Sequence, residues 1–325
     1  MKFSVDAWDP SYGTSVRPGE EQSKTEAVLE VERPTAQWGP VDAAPGVQGP
    51  DTVYFVDGVR RVDAQLWIHE STSSASPAQC ASYAAGVVRC SPLGAQIIVW
   101  EVARMVAGLA ADGADITTPM GAYRYAQVTP THVGQDPTAA LSNAVQQSMQ
   151  ATEMQLTAAV QDESGEAGLV IADGAIGRNH LPGVVGLIKT HSRAFLPPTV
   201  NPIVSQLDAG QRTPVFRLEN PENQTDLHRY SWYLRLSCPP GAPWAGIVRL
   251  ECSGTVTPDQ AVLLANLSQV TVPKYASEGY KDSRAPQNLY PIGGLERALR
   301  RRLGEPSMLY RALRRAAAVD GFVAA

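Results

Sequence analysis

Two apolar runs that each end in aspartate and glycine constrain this chain more than any other feature. The first is VYFVDGVRR, from Val53 to Arg61, and the second is LVIADGAIG, from Leu169 to Gly177. Runs of this length and β-branched content read as buried strands. A carboxylate at the end of such a strand is partly desolvated and needs a partner, and a divalent cation is an effective one. The glycine that follows removes a side chain and lets a ligand or another backbone come close. Two such strands side by side would set Asp57 and Asp173 on one rim. With a third acid they would form an oxygen-rich site suited to Mg2+ or Mn2+ rather than zinc. Asp-Gly is also a common turn pair, and the spacing alone leaves both readings open.

Glu153 is the candidate third acid. It lies in DPTAALSNAVQQSMQATEMQLTAAVQDE, the clearest helix in the sequence. Asp136 reads as the N-cap, with Pro137 in the first turn. Leu141, Val145, Met149, Leu156 and Val160 recur at helical spacing, and Thr152 fills the one gap in the stripe. From Leu141 to Val160, Glu153 is the only charged residue, and the helix feeds directly into the Asp173 strand. A lone glutamate is also what a solvated helix face carries, and periodicity does not separate the two readings.

The rest of the chain divides by composition. Residues 1–50 are rich in Pro and Gly and read as an irregular arm that wraps or docks, with Phe3, Trp8, Tyr12 and Trp38 as large apolar groups that a free tail would leave wet. Residues 51–293 carry the strand and helix signals, and residues 294–325 read as basic helices. TVYFVDGVRRVDAQLWIH is expected to form two strands with a turn near Asp57-Gly58. YAAGVVRCS reads as a strand, and AQIIVWEVARMVAGL as strand or helix. GVVGLIKTHS, TPVFRLE, RYSWYLRLS and WAGIVRLEC are strand-like, and TPDQAVLLANLSQV is helical with Thr257 as cap.

Composition excludes several classes. Apolar residues make up 44% and charged residues 18% of the 325 residues, as in a soluble globular protein. No run of eighteen apolar residues exists, so no membrane span is expected, and a cytoplasmic chain follows by default. Cys80, Cys90, Cys238 and Cys252 form no CxxC pair, and the histidines show no HxxxH or HExxH spacing. GAIGRNHLPG lacks the GK[ST] ending of a P-loop. The formal net charge is −5, yet Arg297 to Arg315 holds seven arginines and one glutamate. That segment suits phosphate contacts and equally a solvated helix face.

In order along the chain, YFVDGVRR, the Glu153 helix, VIADGAIG, GVVGLIKTHS, YSWYLRL, GIVRLEC and DSRAPQNLYPIGGLE together resemble the NurA nuclease family, specifically its bacterial branch. The opening DAWDPSYG resembles that branch too. The resemblance implies an α/β, RNase H-like mixed sheet of five strands flanked by helices, with the amino-terminal arm and basic carboxy-terminal helices appended. It also implies a DNA nuclease that uses one or two Mn2+ or Mg2+ ions, a homodimer, and partnership with a hexameric ATPase of the HerA type in DNA end resection or anti-phage defence. Asp57, Glu153 and Asp173 match the family's metal-binding acids, Lys189 a lysine on the following strand, and Tyr233 an aromatic of a YxLRL-like strand. Val59 and Ala175 stand where relatives often have serine. No histidine follows His228, although archaeal relatives place one near the carboxy terminus; Tyr275 or Asp282 is the expected substitute.

Three carboxylates around a cation suit phosphodiester hydrolysis, with Lys189 beside the pentavalent phosphate. Arg60, Arg61, Arg284 and Asn288 are the expected DNA contacts. Two rival readings come from other classes. One is a non-catalytic adaptor that caps and loads the ATPase; the other is an actin-like phosphotransferase, which would need nucleotide loops that the sequence lacks.

Overall fold

The computed structural model describes residues 25–69, 74–130, 134–164, 168–176, 181–191, 193–219, 228–238 and 243–319. Its strands are β1 (Glu26–Val28), β2 (Thr52–His69), β3 (Ala75–Ser91), β4 (Gly94–Gly108), β5 (Ile116–Thr118), β6 (Gly121–Gln127), β7 (Gly168–Asp173), β8 (Val184–Ile188), β9 (Phe216–Glu219), β10 (Arg229–Arg235) and β11 (Ile247–Ser253). Its helices are α1 (Pro137–Ser164), α2 (Pro202–Gln206), α3 (Pro258–Thr271), α4 (Tyr290–Arg302) and α5 (Pro306–Val319).

The strands hydrogen-bond in the order β1-β9-β10-β11-β8-β7-β2-β3-β4-β6-β5. Within it, β4-β3-β2-β7-β8 is the RNase H-like core. β2, β3 and β4 are neighbours joined by short links, so they are hairpins, because a parallel pair needs a crossover. β7 runs parallel to β2, and β8 parallel to β7. The sheet is larger than the five strands expected: β11, β10, β9 and β1 extend it antiparallel beyond β8, and β6 and β5 extend it beyond β4.

One expectation from the sequence is corrected. Asp57-Gly58 is not a turn, and Thr52 to His69 forms one unbroken strand. The apolar alternation of Val62, Ala64, Leu66 and Ile68 is the continuation of β2, and the glycine answers to a different constraint described below.

Contacts divide the chain into two compact units that interleave in sequence. The first takes residues up to Val56, then Val88–Gln96 and Ala158–Gly293. Here β10 is covered on both faces, since alternate strand residues point to opposite sides. Trp232 donates its Nε1 hydrogen to Ser268 of α3 at 3.2 Å. Tyr233, on the other face, packs with Leu196, Val200, Val204, Leu207 and Phe216. Thr257 and Gln260 form a reciprocal capping box at the start of α3. The described part of the amino-terminal arm joins this unit: β1 pairs with β9, and Trp38 packs against the Phe216 cluster. Phe3, Trp8 and Tyr12 lie outside the described residues.

A buried arginine ties the arm down. Arg212 sends both terminal nitrogens to the Glu32 carboxylate at 2.7 and 2.8 Å. It also donates to Asn266 Oδ1 at 2.7 Å, Gln269 Oε1 at 3.1 Å and the Thr213 carbonyl at 3.0 Å, which uses all five of its N–H groups.

The second unit holds Asp57–Val87, Ile97–Thr157 and the chain from Gly294 onward. Asp136 caps α1 as expected, accepting from Thr138 and Ala139. The helix buries its expected stripe, Thr152 included, and Leu141 and Val145 pack on Ala81, Met105 and Ala107. Leu295 and Leu299 of α4 close over Gly86, whose absent side chain makes room for them. Ala81 and Gly86 face opposite ways along β3, so α1 and α4 cover opposite sides of that strand.

Candidate metal centre

Strand register brings the two aspartates together. In the parallel pair β2/β7, Val56 stands opposite Ala172, and the next residue along each strand is an aspartate. Asp57 is buried and Asp173 is half-buried. Oxygens of Asp57, Asp173 and Glu296 lie within 4.8 Å of one another. Hard cations bind oxygen at about 2.0–2.6 Å, so one or two such ions fit among carboxylates this close. An all-carboxylate donor set matches Mg2+ or Mn2+ and not a zinc site.

Glu296, on α4, is the acid that sequence reasoning missed. It closes the stretch DSRAPQNLYPIGGLE and opens the run of arginines, which drew attention to phosphate binding instead. The available signal was a lone acid before a run of arginines, five residues past Pro291, which lies in the first turn of α4. Of Tyr275 and Asp282, the residues expected near this place, Tyr275 packs edge-on against Phe55 at 4.9 Å, and Asp282 is linked to Asp173 through Asn288 and Lys189, as described below.

Glu153 stands one residue along from Asp57. A Cβ on Gly58 would lie 2.5 Å from Glu153 Oε1 and 2.9 Å from Met149 Cγ. The glycine after Asp57 is therefore required because α1 crosses β2 closely there and delivers a carboxylate against the strand backbone. Glu153 is not one of the three acids whose oxygens share the 4.8 Å group, where Glu296 takes the third place.

Lys189 directly follows β8 and forms a salt bridge to Asp173 Oδ2 at 2.7 Å. It also donates to Asn288 Oδ1 at 2.8 Å. Asn288 in turn donates to Asp282 Oδ2 at 2.7 Å, and Asp282 Oδ1 accepts from the Arg284 backbone N–H at 2.8 Å. Asn288, expected at the DNA surface, is fully enclosed and spends both ends of its amide on this chain of contacts. Arg284 is half-buried, with its Nε 3.9 Å from Asp282.

The remaining expected residues are dispersed. Arg60 is exposed and reaches Gln146 and Ser142 of α1 at 2.7 and 3.3 Å. Arg61 turns inward, donating to Asp63 Oδ1 and to the Gly304 carbonyl at 2.9 Å each. Tyr233 is buried among Phe216, His191 and Trp244 rather than beside the acids, and burial pushes its hydroxyl up to about 12.

No protein-family model matches the chain, and no curated protein sequence matches it. Solved structures similar to it include the NurA nuclease from Sulfolobus solfataricus, at 10% identity and a TM-score of 0.41, covering 82% of this chain and 84% of that one. The catalytic domain of human endonuclease V is 13% identical with a TM-score of 0.35, covering 83% of this chain and 92% of that one. Endonuclease V from Ciona intestinalis, in complex with an inosine-containing DNA, is 13% identical with a TM-score of 0.32, covering 78% of this chain and 86% of that one. Among the described residues, no helix is long and apolar enough to cross a membrane.

Proposed function

We propose that this chain is a divalent-metal-dependent DNA nuclease of the NurA type. The observation that carries the reading is the convergence of Asp57 within β2, Asp173 at the end of the adjoining β7 and Glu296 of α4 on one edge of an RNase H-like sheet. Carboxylates at this spacing repel one another unless a cation joins them. Asp57, Asp173 and Glu296 would hold the ion, with Glu153 available from the Gly58 side for its outer shell or a second ion. When bound, Mn2+ or Mg2+ supplies an activated water and neutralises charge on the leaving oxygen. Lys189, fixed by Asn288, places a cation where charge gathers on the phosphate in the transition state. Arg60 is exposed just past Asp57 and suits a backbone phosphate.

The finer assignments rest on the sequence resemblance. They are a homodimer, the use of Mn2+ or Mg2+ as the one or two ions, and service to a HerA-type hexameric ATPase in DNA end resection or anti-phage defence. A two-fold dimer and a six-fold ring cannot match contact for contact, so one dimer per hexamer would join through asymmetric contacts. The test is a cleavage assay on linear DNA with Mn2+, Mg2+ or EDTA, with and without the ATPase. Metal-dependent cleavage lost in Asp57→Asn supports the reading. Metal-independent cleavage, or full activity in a purified Asp57→Asn protein, overturns it.

A further inference from the structure

We infer that the outer face of α4 and α5, together with Trp100, is a docking track for a nucleic-acid strand. On α4, Arg297, Arg300 and Arg301 are exposed; on α5, Arg311, Arg314 and Arg315 are exposed. The opposite faces of both helices are spent on the core through Leu295, Leu299, Leu309 and Leu313. Among the described residues, the guanidinium groups of Arg297, Arg300, Arg301, Arg314 and Arg315 make no ion pair or hydrogen bond. Arg297 and Arg301, like Arg311 and Arg315, are four residues apart, a spacing at which like charges cost about 0.2–0.5 kcal/mol per pair. A chain with a net charge of −5 thus concentrates mutually repelling cations on one surface.

This surface is part of the folded body and not a tail. The turn between the helices is held by Arg61, which donates to the Gly304 carbonyl at 2.9 Å, and by Arg104, which donates to the Leu303 carbonyl at 3.3 Å. The segment contains arginine and no lysine, and the guanidinium fork suits phosphate oxygens in pairs. Beside it, Arg302 stacks over Trp100 with its guanidinium carbon 4.3 Å from the ring centroid, while Trp100 stays 48% exposed. An exposed indole next to a basic track is how a base is stacked while its backbone is held. A lipid surface fits less well, because the leucine faces of both helices are already buried and Met308 and Tyr310 are the large apolar groups that α5 leaves exposed.

The track deepens the nuclease reading and rests on it in one respect. Glu296 of the acidic group precedes Arg297 on the same helix, so a strand held by α4 would run toward the acids. The test measures binding in EDTA, where cleavage plays no part. Fluorescence anisotropy with labelled single-stranded and duplex oligonucleotides is run over a salt series on the full chain. Wild type is compared with Arg297→Gln/Arg301→Gln/Arg311→Gln/Arg315→Gln and with Trp100→Ala. The quadruple variant is expected to bind about tenfold or more weakly, and its log–log salt slope to flatten by roughly 0.7–0.9 per lost phosphate contact. Trp100→Ala is expected to weaken single-strand binding more than duplex binding. If the quadruple variant does not melt like wild type, the Arg311→Gln/Arg315→Gln pair replaces it. Unchanged affinity and slope overturn the proposal, as does arginine-dependent binding to phosphatidylserine vesicles without oligonucleotide binding. Arginine-dependent binding by a protein that never cleaves overturns the nuclease reading alone.

Discussion

Lys189 Nζ lies 2.7 Å from Asp173 Oδ2 and 2.8 Å from Asn288 Oδ1, so one ammonium group joins a carboxylate of the acidic group to a buried amide. Neither side chain of the ion pair is more than one-sixth exposed, at 9% and 16%. Lys189→Met is expected to lower kcat by about 10²–10³-fold with little change in KM, the pattern of a group acting on transition-state charge. Asn288→Ala should give a smaller loss of the same kind, because the ammonium stays but its direction is freed. A rise in KM with kcat unchanged in either variant would show that these residues only bind substrate.

Gly58→Ala tests the close approach of α1. The added methyl would stand 2.5 Å from Glu153 Oε1 and 2.9 Å from Met149 Cγ, so the helix must shift or the carboxylate must swing away. A stability loss of about 1–3 kcal/mol is expected, together with reduced metal-dependent activity. A denaturant midpoint and a cleavage rate both equal to wild type would remove the packing argument.

The acidic group predicts opposite effects with and without metal. In EDTA, Glu296→Gln relieves repulsion among carboxylates within 4.8 Å of one another and should leave the melting temperature unchanged or raise it. With Mn2+ the wild type should gain stability by mass action, and the variant should gain less. Equal Mn2+-induced shifts in the two proteins, followed by differential scanning fluorimetry, would take Glu296 out of the site.

His191 should make stability pH-dependent. Burial holds its imidazole down to about 4, against a weaker upward pull from its hydrogen bond to the Ile247 carbonyl and a further lowering from Arg249. The folded state thus binds fewer protons than the unfolded state between about 6.5 and 4. The stability tied to the neutral ring is fully present above about pH 6.5 and is lost as the pH falls toward 4. The loss amounts to roughly 3 kcal/mol at the acid end. In His191→Phe the urea midpoint should fall less between pH 7 and pH 5 than in wild type; parallel declines would assign the dependence to other groups.

Glu32→Ala strips Arg212 of its carboxylate partner while its side chain stays 1% exposed. A cost of about 3–5 kcal/mol is expected for an uncompensated buried charge. A double replacement of Arg212 and Glu32 by apolar residues should recover part of it. The Glu32 carboxyl is pushed up by burial but held below its ordinary value overall by Arg212 and the Val215 N–H. Its contribution is therefore present above the ordinary carboxylate range and lost as the pH falls through its lowered value.

The RNase H-like core was readable because it depends on local patterns: apolar runs for β2, β7 and β8, and a capped 3.6-residue stripe for α1. Asp57 and Asp173 were found for the same reason, since each terminates such a run. Glu296 was not, because a lone acid beside a run of arginines reads as a surface glutamate; the packing of Leu295 and Leu299 over Gly86 helps to fix its helix where it lies. The turn expected at Asp57-Gly58 failed because glycine signals a close neighbour as well as a bend, and the neighbour here is a side chain almost a hundred positions later. Tyr233 was placed beside the chemistry by motif order, whereas strand parity puts it in an aromatic core.

The Glu32–Arg212 bond spans 180 residues, and this separation sets an order of events in the cell. At about 5–20 residues per second, a ribosome finishes Arg212 roughly 10–40 seconds after Glu32. The α3 acceptors Asn266 and Gln269 come later still. For that interval the edge strand β1 has no partner to pair with, since β9 has not yet been made. The segment from β1 to Glu32, made long before its partners, is thus among the last of the described elements to be secured. Neither of the two units is a contiguous stretch of sequence, so no simple truncation releases one of them intact.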